Sequence, residues 1–161
     1  MAKFVAFACV VLSPMMTFAD GWKPPENPDP FAILQEAKAD AQKRDYKTAL
    51  EKQVWYHQNA LKYQVSQTGV RLSFALGYWL DLAKVYPPAL DRLREIRDEA
   101  EAGTKKGISR VEAVQEVAAI DRTLGEEAKT VDLFLEFDKN DPKFAARVFS
   151  FAQPALLEAK Q

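Results

Sequence analysis

The chain has 161 residues, of which 28% are charged, and its formal net charge is −1. This length suits one domain with one continuous hydrophobic core. The near balance of charges gives no electrostatic argument for nucleic acid or an anionic membrane surface as a partner, and we predict no binding to nucleic acid. A hydrophobic content of 48% argues against a disordered chain.

Residues 1–19 have the pattern of a secretory signal peptide. Lys3 supplies a positive start, Phe4 to Leu12 is an uncharged apolar run, and Thr17-Phe18-Ala19 forms a small-x-small cleavage site before Asp20. The run is too short to span a membrane. We therefore predict cleavage and export to the bacterial periplasm or the medium, with no membrane span left in the mature chain. Retention of the segment as an N-terminal anchor is the alternative.

The mature chain is predicted to begin with an extended lead. Cleavage would remove Cys9, the only cysteine, so that no disulfide or thiolate metal ligand would remain. Residues 20–30 contain four prolines, which favour an extended, polyproline-like segment. Trp22 is the one apolar group of this lead, and we expect it to pack partly on the domain. Residues 31–161 are predicted to form a single α-helical domain.

Two helices open this domain. Asp29-Pro30 is a helix start, because aspartate caps a helix and proline is tolerated at its first position. The first helix should bury the stripe Ile33, Ala37 and Ala41. A second helix is predicted from Lys47 to about Val65. Its apolar stripe contains Leu50, Val54, Leu61 and Val65 and is widened by Trp55, Tyr56 and Ala60.

The most apolar segment of the mature chain predicts a buried central helix from Val70 to Val85. At 100° per residue, its only polar or small strip contains Ser73, Gly77, Asp81 and Lys84. A helix this apolar should have neighbours on most sides. It should end at Tyr86, because the residue before a proline disfavours the α region and Pro87-Pro88 follows.

The C-terminal half predicts further helices. An amphipathic helix from Ala89 to Ala102 is followed by a loop over 103–107 and by a capping box, Ser109-x-x-Glu112. Residues 110–138 form one bent helix or two, with a break near Gly125. Asp141-Pro142 starts a helix that covers 143–152, and Pro154 ends or kinks it. The expected fold is all-α, with six or seven helices in antiparallel hairpins, arranged as a short α-solenoid or an irregular bundle.

The second predicted hairpin resembles a tetratricopeptide repeat. Leu76-Gly77 matches the Leu-Gly of that family's first helix, and Tyr86-x-x-Ala89 matches its helix junction. Tyr46-x-x-Ala49 repeats the junction, but 40 residues earlier, against a family period of about 34. The same stretch is similar to parts of exported bacterial proteins. The resemblance implies stacked hairpins with a concave, peptide-binding face.

Few residues of this sequence suggest a catalytic, metal-binding or ligand-binding site. His57 is the only histidine, and without a cysteine it cannot complete a typical zinc site. Asp138, Asn140 and Asp141 lack the glycine and glutamate of a calcium loop. We therefore predict no metal and no cofactor. The candidate contact residues for a ligand or partner are His57 and four aromatic residues of the second and central predicted helices: Trp55, Tyr56, Tyr78 and Trp79.

Three functions are compatible with these features. The leading hypothesis is a non-enzymatic, exported helical-repeat module that binds a protein or peptide. The alternatives are a small-molecule or glycan-binding domain that uses Trp55, Tyr78 and Trp79, and a hydrolase with His57 as general base. A carboxylate within hydrogen-bonding reach of His57 in a cleft would favour the hydrolase. Burial of His57 among apolar side chains would disfavour both alternatives. The identity of the partner and the oligomeric state stay open.

Overall fold

A computed structural model of the chain describes residues 21–105 and 109–160. Over these residues it contains eight α-helices and no strand, which confirms the predicted all-α class. The predicted signal peptide, residues 1–19, lies outside the described residues. The helices are α1 (Pro30–Gln42), α2 (Tyr46–Tyr63), α3 (Thr68–Arg71), α4 (Phe74–Val85), α5 (Pro87–Lys105), α6 (Arg110–Leu124), α7 (Glu127–Asn140) and α8 (Pro142–Glu158).

Aspartate-proline pairs start two helices, as predicted. The Oδ1 atom of Asp29 accepts hydrogen bonds from the backbone N–H groups of Phe31 at 2.9 Å and Ala32 at 3.2 Å. Asp141 caps α8 in the same way, by accepting from the N–H of Phe144 at 3.2 Å. Each cap satisfies backbone donors that have no partner within the helix. Local chemistry alone therefore fixes both starts.

The predicted continuous helix from Val70 to Val85 is wrong. A 3₁₀ turn (Val65–Gln67) leads into the short α3, and a break at Leu72 and Ser73 separates it from α4. Ser73 has φ −137° and ψ −92°, outside the helical region, and its hydroxyl donates to the carbonyl of Gly69 at 2.6 Å. A serine hydroxyl that binds a nearby carbonyl competes with the helical backbone pattern.

The helices of the C-terminal half differ from prediction at their ends. Helix α5 runs on to Lys105, beyond the predicted end at Ala102. Gly125 adopts φ +69° and ends α6, so residues 110–138 form two helices. Ser109 makes no side-chain capping hydrogen bond among the described residues, so the predicted capping box is wrong. Helix α8 continues through Pro154 to Glu158 instead of ending there.

Helix α4 lies at the centre of the packing, as its composition predicts. It packs against α1, α2, α5 and α6, and α6 also packs against α5, α7 and α8. Leu76 and Trp79 of α4 are buried with Leu93 of α5 and Ile120 of α6. A second cluster joins α6 to α7 and α8 around Phe137. The paired helices α1–α2 and α7–α8 therefore flank a core made by α4, α5 and α6.

The narrow polar strip of α4 faces solvent. Ser73, Gly77, Asp81 and Lys84 are all exposed. A Cβ atom placed on Gly77 would meet no atom within 4 Å. Gly77 therefore does not make the close helix contact that the tetratricopeptide resemblance would require of it.

Alanine substitutions at Gly77 and Gly125 should have opposite effects on stability. Gly77→Ala is expected to raise the free energy of unfolding by about 1 kcal/mol, because alanine favours an exposed helix interior over glycine. Gly125→Ala should lower it by about 1–2 kcal/mol, because a residue with a Cβ is strained at positive φ. Urea unfolding of both variants measures this. A loss of stability in Gly77→Ala would show that Gly77 packs against a neighbour.

Candidate functional site

The predicted contact residues do not form one surface. Tyr56, His57 and Trp79 are buried, whereas Trp55 and Tyr78 are partly exposed. The Trp79 indole donates to the carbonyl of Ala89 at 2.8 Å, and the Tyr56 hydroxyl donates to Oε1 of Gln67 at 2.8 Å. Burial raises the pKa of Tyr56 to about 12, so the hydroxyl stays protonated. These two aromatics connect elements of the core.

Trp55 belongs to a separate aromatic group at the surface. Its ring stacks on Tyr63 with centroids 5.8 Å apart and meets Trp22 edge-on at 6.0 Å. The backbone N–H of Trp22 donates to Oε2 of Glu51 at 2.7 Å. The lead therefore packs on α2, as predicted for Trp22. This contact covers part of the Trp55 ring.

The inward face of α2 mixes polar and apolar side chains, and the predicted stripe is right only in part. Tyr56 and Ala60 are buried as predicted, and Leu50 and Val54 pack against the core. Leu50, Val54 and Leu61 are only partly buried and Val65 is exposed. The buried positions recur at helical spacing, three or four residues apart, and are Ala49, Lys52, Gln53, Tyr56, His57 and Ala60. Apolar periodicity detects such a face only in part, because three of its members, Lys52, Gln53 and His57, are polar.

Lys52 is paired across the first hairpin. Its Nζ atom lies 2.6 Å from Oδ2 of Asp40 and 2.9 Å from Oε2 of Glu36, both on α1. Burial lowers the pKa of Lys52, but the hydrogen bonds to the two carboxylates outweigh this and raise it overall. Lys52 therefore stays charged and connects α1 to α2.

His57 lies in a partly buried cluster with Arg71 and Glu116, contributed by α2, α3 and α6. His57 Nε2 is 2.6 Å from Oε1 of Glu116, and Arg71 Nη2 donates to Oε2 of the same carboxylate at 2.9 Å. Arg71 Nη1 also donates to the backbone carbonyl of His57 at 3.2 Å. Each carboxylate oxygen of Glu116 therefore contacts one side chain, Oε1 that of His57 and Oε2 that of Arg71. The cluster connects three helices.

The hydrogen bonds of the cluster define its protonation. Burial raises the pKa of Glu116, but the hydrogen bonds from His57 and Arg71 outweigh it and lower the pKa to about 2. Burial lowers the pKa of His57, and the hydrogen bond to Glu116 opposes this only in part. Neutral His57 must carry its proton on Nε2, because an ionised carboxylate only accepts. The Arg71 Nη1 contact with Nε2, at 2.9 Å, is then not a hydrogen bond.

Nδ1 of His57 is the remaining ring nitrogen, and it is buried without a hydrogen-bond partner among the described residues. A general base must present a nitrogen to its substrate. His57 is 4% exposed, and its outer nitrogen is already engaged by Glu116. A groove of about 230 Å³ does border His57, Glu112 and Glu116. In this geometry His57 and Arg71 hold the ionised carboxylate of Glu116 in place, and neither ring nitrogen of His57 is open to that groove.

A second buried ion pair joins α5 to α6 and α7. Arg97 donates to both carboxylate oxygens of Asp121, at 2.8 and 3.2 Å, and the Thr130 hydroxyl donates to Oδ2 at 2.8 Å. Arg97 also pairs with Glu101. Burial lowers the pKa of Arg97, but the hydrogen bonds and charge of Asp121 raise it overall, so the guanidinium stays charged.

A groove of about 240 Å³ lies between α1 and α4. Its apolar residues are Ala37 and Ala41 of α1 with Tyr78, Leu82 and Val85 of α4. Its rim carries the charged and amide side chains of Lys38, Gln42 and Asp81. Lys38 Nζ lies 4.5 Å from the centroid of the Tyr78 ring, which is a cation–π contact.

Gln53 of α2 also lines this groove. The residue is 2% exposed, and its side-chain oxygen is buried with no hydrogen-bond partner among the described residues. An unpaired buried acceptor is rare in folded proteins. Sequence reasoning missed Gln53, although its position between Ala49 and Ala60, in register with both, is the one local signal that it faces inward.

Gln53→Leu is expected to leave stability unchanged or to raise the free energy of unfolding by about 1 kcal/mol. Leucine has a similar size and removes a buried acceptor whose missing hydrogen bond costs roughly 1–3 kcal/mol. Urea unfolding of the wild type and the variant measures the difference. A loss of more than about 1 kcal/mol would mean that the Gln53 amide is paired in solution.

The described residues hold no group of three or more histidine, cysteine or acidic side chains arranged to bind a metal. Across residues 21–105 and 109–160, no helix has the length and apolar character needed to span a membrane. Comparison with protein-family models, with curated proteins and with solved structures found no match to this chain.

Proposed function

We propose that this chain is an exported helical domain that binds a protein or peptide partner in the groove between α1 and α4 and does not catalyse a reaction. The observation that carries the proposal is the groove with Gln53 in its wall. Apolar side chains that converge on a few polar groups are typical of binding sites. An unpaired buried amide there is a group that a partner can satisfy.

Exposed apolar side chains extend this groove along α4. Phe74, Tyr78 and Val85 are spaced by four and seven residues, so they share one face of the helix. Phe74 and Val85 are exposed, and Tyr78 and Val85 line the groove. A row of exposed apolar side chains beside a groove favours a peptide that inserts its own apolar residues at matching intervals.

The size of the groove favours a peptide over a free small molecule. At about 240 Å³ it is smaller than the sites of roughly 300–1,000 Å³ that enclose whole ligands. It has room for one or two side chains of a larger partner. The glycan alternative has less support, because Trp55 and Trp79 do not line the groove with Tyr78.

Export is proposed from the pattern of residues 1–19, with its positive start, apolar run and cleavage site. The periplasm or the medium would then be the compartment in which the groove meets its partner. A peptide or an extended segment of an envelope protein is the class of partner that fits such a groove.

The hydrolase alternative has one observation in its favour, the contact between His57 and Glu116 at 2.6 Å. In a catalytic pair, however, the carboxylate orients one ring nitrogen while the other faces the substrate. Here Glu116 meets Nε2, and Nδ1 is buried. The arrangement supports a structural role for His57 better than a role as general base.

Selection of peptides from a random library on the purified protein tests the proposal. Selected peptides should bind the wild type, and Tyr78→Ala should weaken binding by about tenfold or more, because aromatic anchors contribute much of the energy of an interface. Tyr63→Ala is the matched control, since Tyr63 is an exposed tyrosine on α2 that does not line the groove. Its binding should match the wild type.

Failure to select any peptide would contradict a peptide-binding function. Peptides that lose affinity in Tyr63→Ala but keep it in Tyr78→Ala would move the binding surface to the aromatic group of Trp22, Trp55 and Tyr63. Either result would exclude the α1/α4 groove as the partner site.

A further inference from the structure

We infer that the α1/α4 groove selects a tyrosine-type side chain of the partner, whose ring fills the groove and whose hydroxyl donates to Gln53. The inference rests on the proposed function, because it assumes that this groove receives a peptide. It adds the chemical class of the anchoring residue. The carrying observation is the pairing of apolar walls with one unpaired buried acceptor.

The walls of the groove suit an aromatic ring. Ala37 and Ala41 leave space beside α1, Leu82 and Val85 present aliphatic surface, and Tyr78 offers an aromatic contact. Aromatic rings bury a large area with few rotatable bonds and prefer edge-on or offset contacts with another ring. An aromatic side chain therefore uses this space better than a flexible aliphatic chain.

The side-chain oxygen of Gln53 requires a hydrogen-bond donor from the partner. This oxygen lacks a hydrogen-bond partner among the described residues and is itself buried. The terminal amide torsion of glutamine is broad and roughly two-fold, so turning the amide over brings the oxygen to the groove that Gln53 lines. A phenol carries its O–H at the far end of the ring, beyond the apolar part. A phenylalanine ring would fill the same space and leave the acceptor unpaired.

Charged anchors fit this groove poorly. A lysine or arginine side chain would place its charge beside the Gln53 amide, away from the one carboxylate of the lining, Asp81, which is exposed. Burial of a charge without a counter-charge is costly. The rim has one cation, Lys38, and one carboxylate, Asp81. It therefore gives little preference for acidic or basic flanking residues, and the selectivity lies at Gln53.

Two probes that differ by one hydroxyl test the inference: N-acetyl-tyrosinamide and N-acetyl-phenylalaninamide. Each is titrated into the ¹⁵N-labelled protein while the amide resonances of Ala41 and Leu82 and the side-chain amide of Gln53 are followed by NMR. We expect both probes to shift these resonances, with the tyrosine probe binding roughly five- to tenfold more tightly, as one satisfied hydrogen bond allows.

Gln53→Leu should remove this preference and leave both probes binding with similar affinity. Gln42→Leu is the matched control, because Gln42 is an exposed glutamine on the rim of the same groove; its preference for the tyrosine probe should persist. Equal binding of the two probes to the wild type, or a preference that survives in Gln53→Leu, would overturn the tyrosine inference and leave the groove as a binding site. Shifts confined to other residues, with either probe, would contradict the proposed function itself.

Discussion

Arg97→Met is expected to lower the free energy of unfolding by about 3–5 kcal/mol, the largest effect of any single change considered in this protein. The substitution removes the guanidinium that pairs with both oxygens of Asp121, which is 0% exposed. Among the described residues, the hydroxyl of Thr130 alone would still donate to that carboxylate. A buried charge that has lost its partner keeps the full cost of desolvation.

Arg94→Met is the matched control for this experiment. Arg94 lies on the same helix, and its side chain is 50% exposed where it pairs with Glu126 at 2.8 Å. An exposed pair of this kind contributes about 0–1 kcal/mol. Urea unfolding at neutral pH compares the two variants. The double variant Arg97→Met/Asp121→Leu should recover part of the loss, since it removes both charges. Equal stability of the two single variants would show that the Arg97–Asp121 pair is open to water.

Stability is expected to fall in acid, and Glu116 should be responsible for about 3 kcal/mol of the loss. The pKa of Glu116 in the folded protein, about 2, lies below its ordinary value of 4.5. The unfolded chain therefore binds the proton first as the pH falls. The contribution of Glu116 is fully present above pH 4.5 and is lost as the pH falls from there toward 2.

His57 should act in the same direction at higher pH. Its pKa in the folded protein is lowered from 6.5 by burial, so the unfolded chain gains a proton that the folded chain resists. Stability should therefore begin to fall below about pH 6.5. The contributions of both groups are therefore present at and above neutral pH and are lost in acid.

Glu116→Gln tests this pH dependence. The free energies of unfolding of the wild type and the variant should differ by about 3 kcal/mol at pH 7, and the difference should shrink as the pH approaches 3. Glu112→Gln is the control, because Glu112 is an exposed glutamate on the same helix that borders the same groove. A constant difference between wild type and Glu116→Gln from pH 7 to 3 would contradict the lowered pKa of Glu116.

Features fixed by local chemistry were predictable from the sequence. Asp29-Pro30 and Asp141-Pro142 start helices because their caps are satisfied within three residues. Gly125 was a plausible break, and its positive φ explains why two helices result. The apolar run of α4 indicated a central helix. These predictions needed no knowledge of what lies across the fold.

Features fixed by distant partners were not predictable. The inward face of α2 carries Lys52, Gln53 and His57 between apolar residues, and apolar periodicity does not identify these three as buried. The partner of His57 is 59 residues away in the chain. Nothing local identified Gln53 as a groove residue, because the groove exists only where α1 and α4 lie beside α2. A polar side chain can be buried wherever the fold brings it a partner, and periodicity carries no information about that partner.

The most direct measurement of the binding surface is a set of intermolecular NOEs between the protein and its tightest selected peptide. The methyl groups of Leu82 and Val85 lie in the α1/α4 groove, so we expect NOEs from them to aromatic ring protons of the peptide. NOEs from the peptide to Trp55 and Tyr63 instead, with none to Leu82 or Val85, would contradict the assignment of the α1/α4 groove as the partner site.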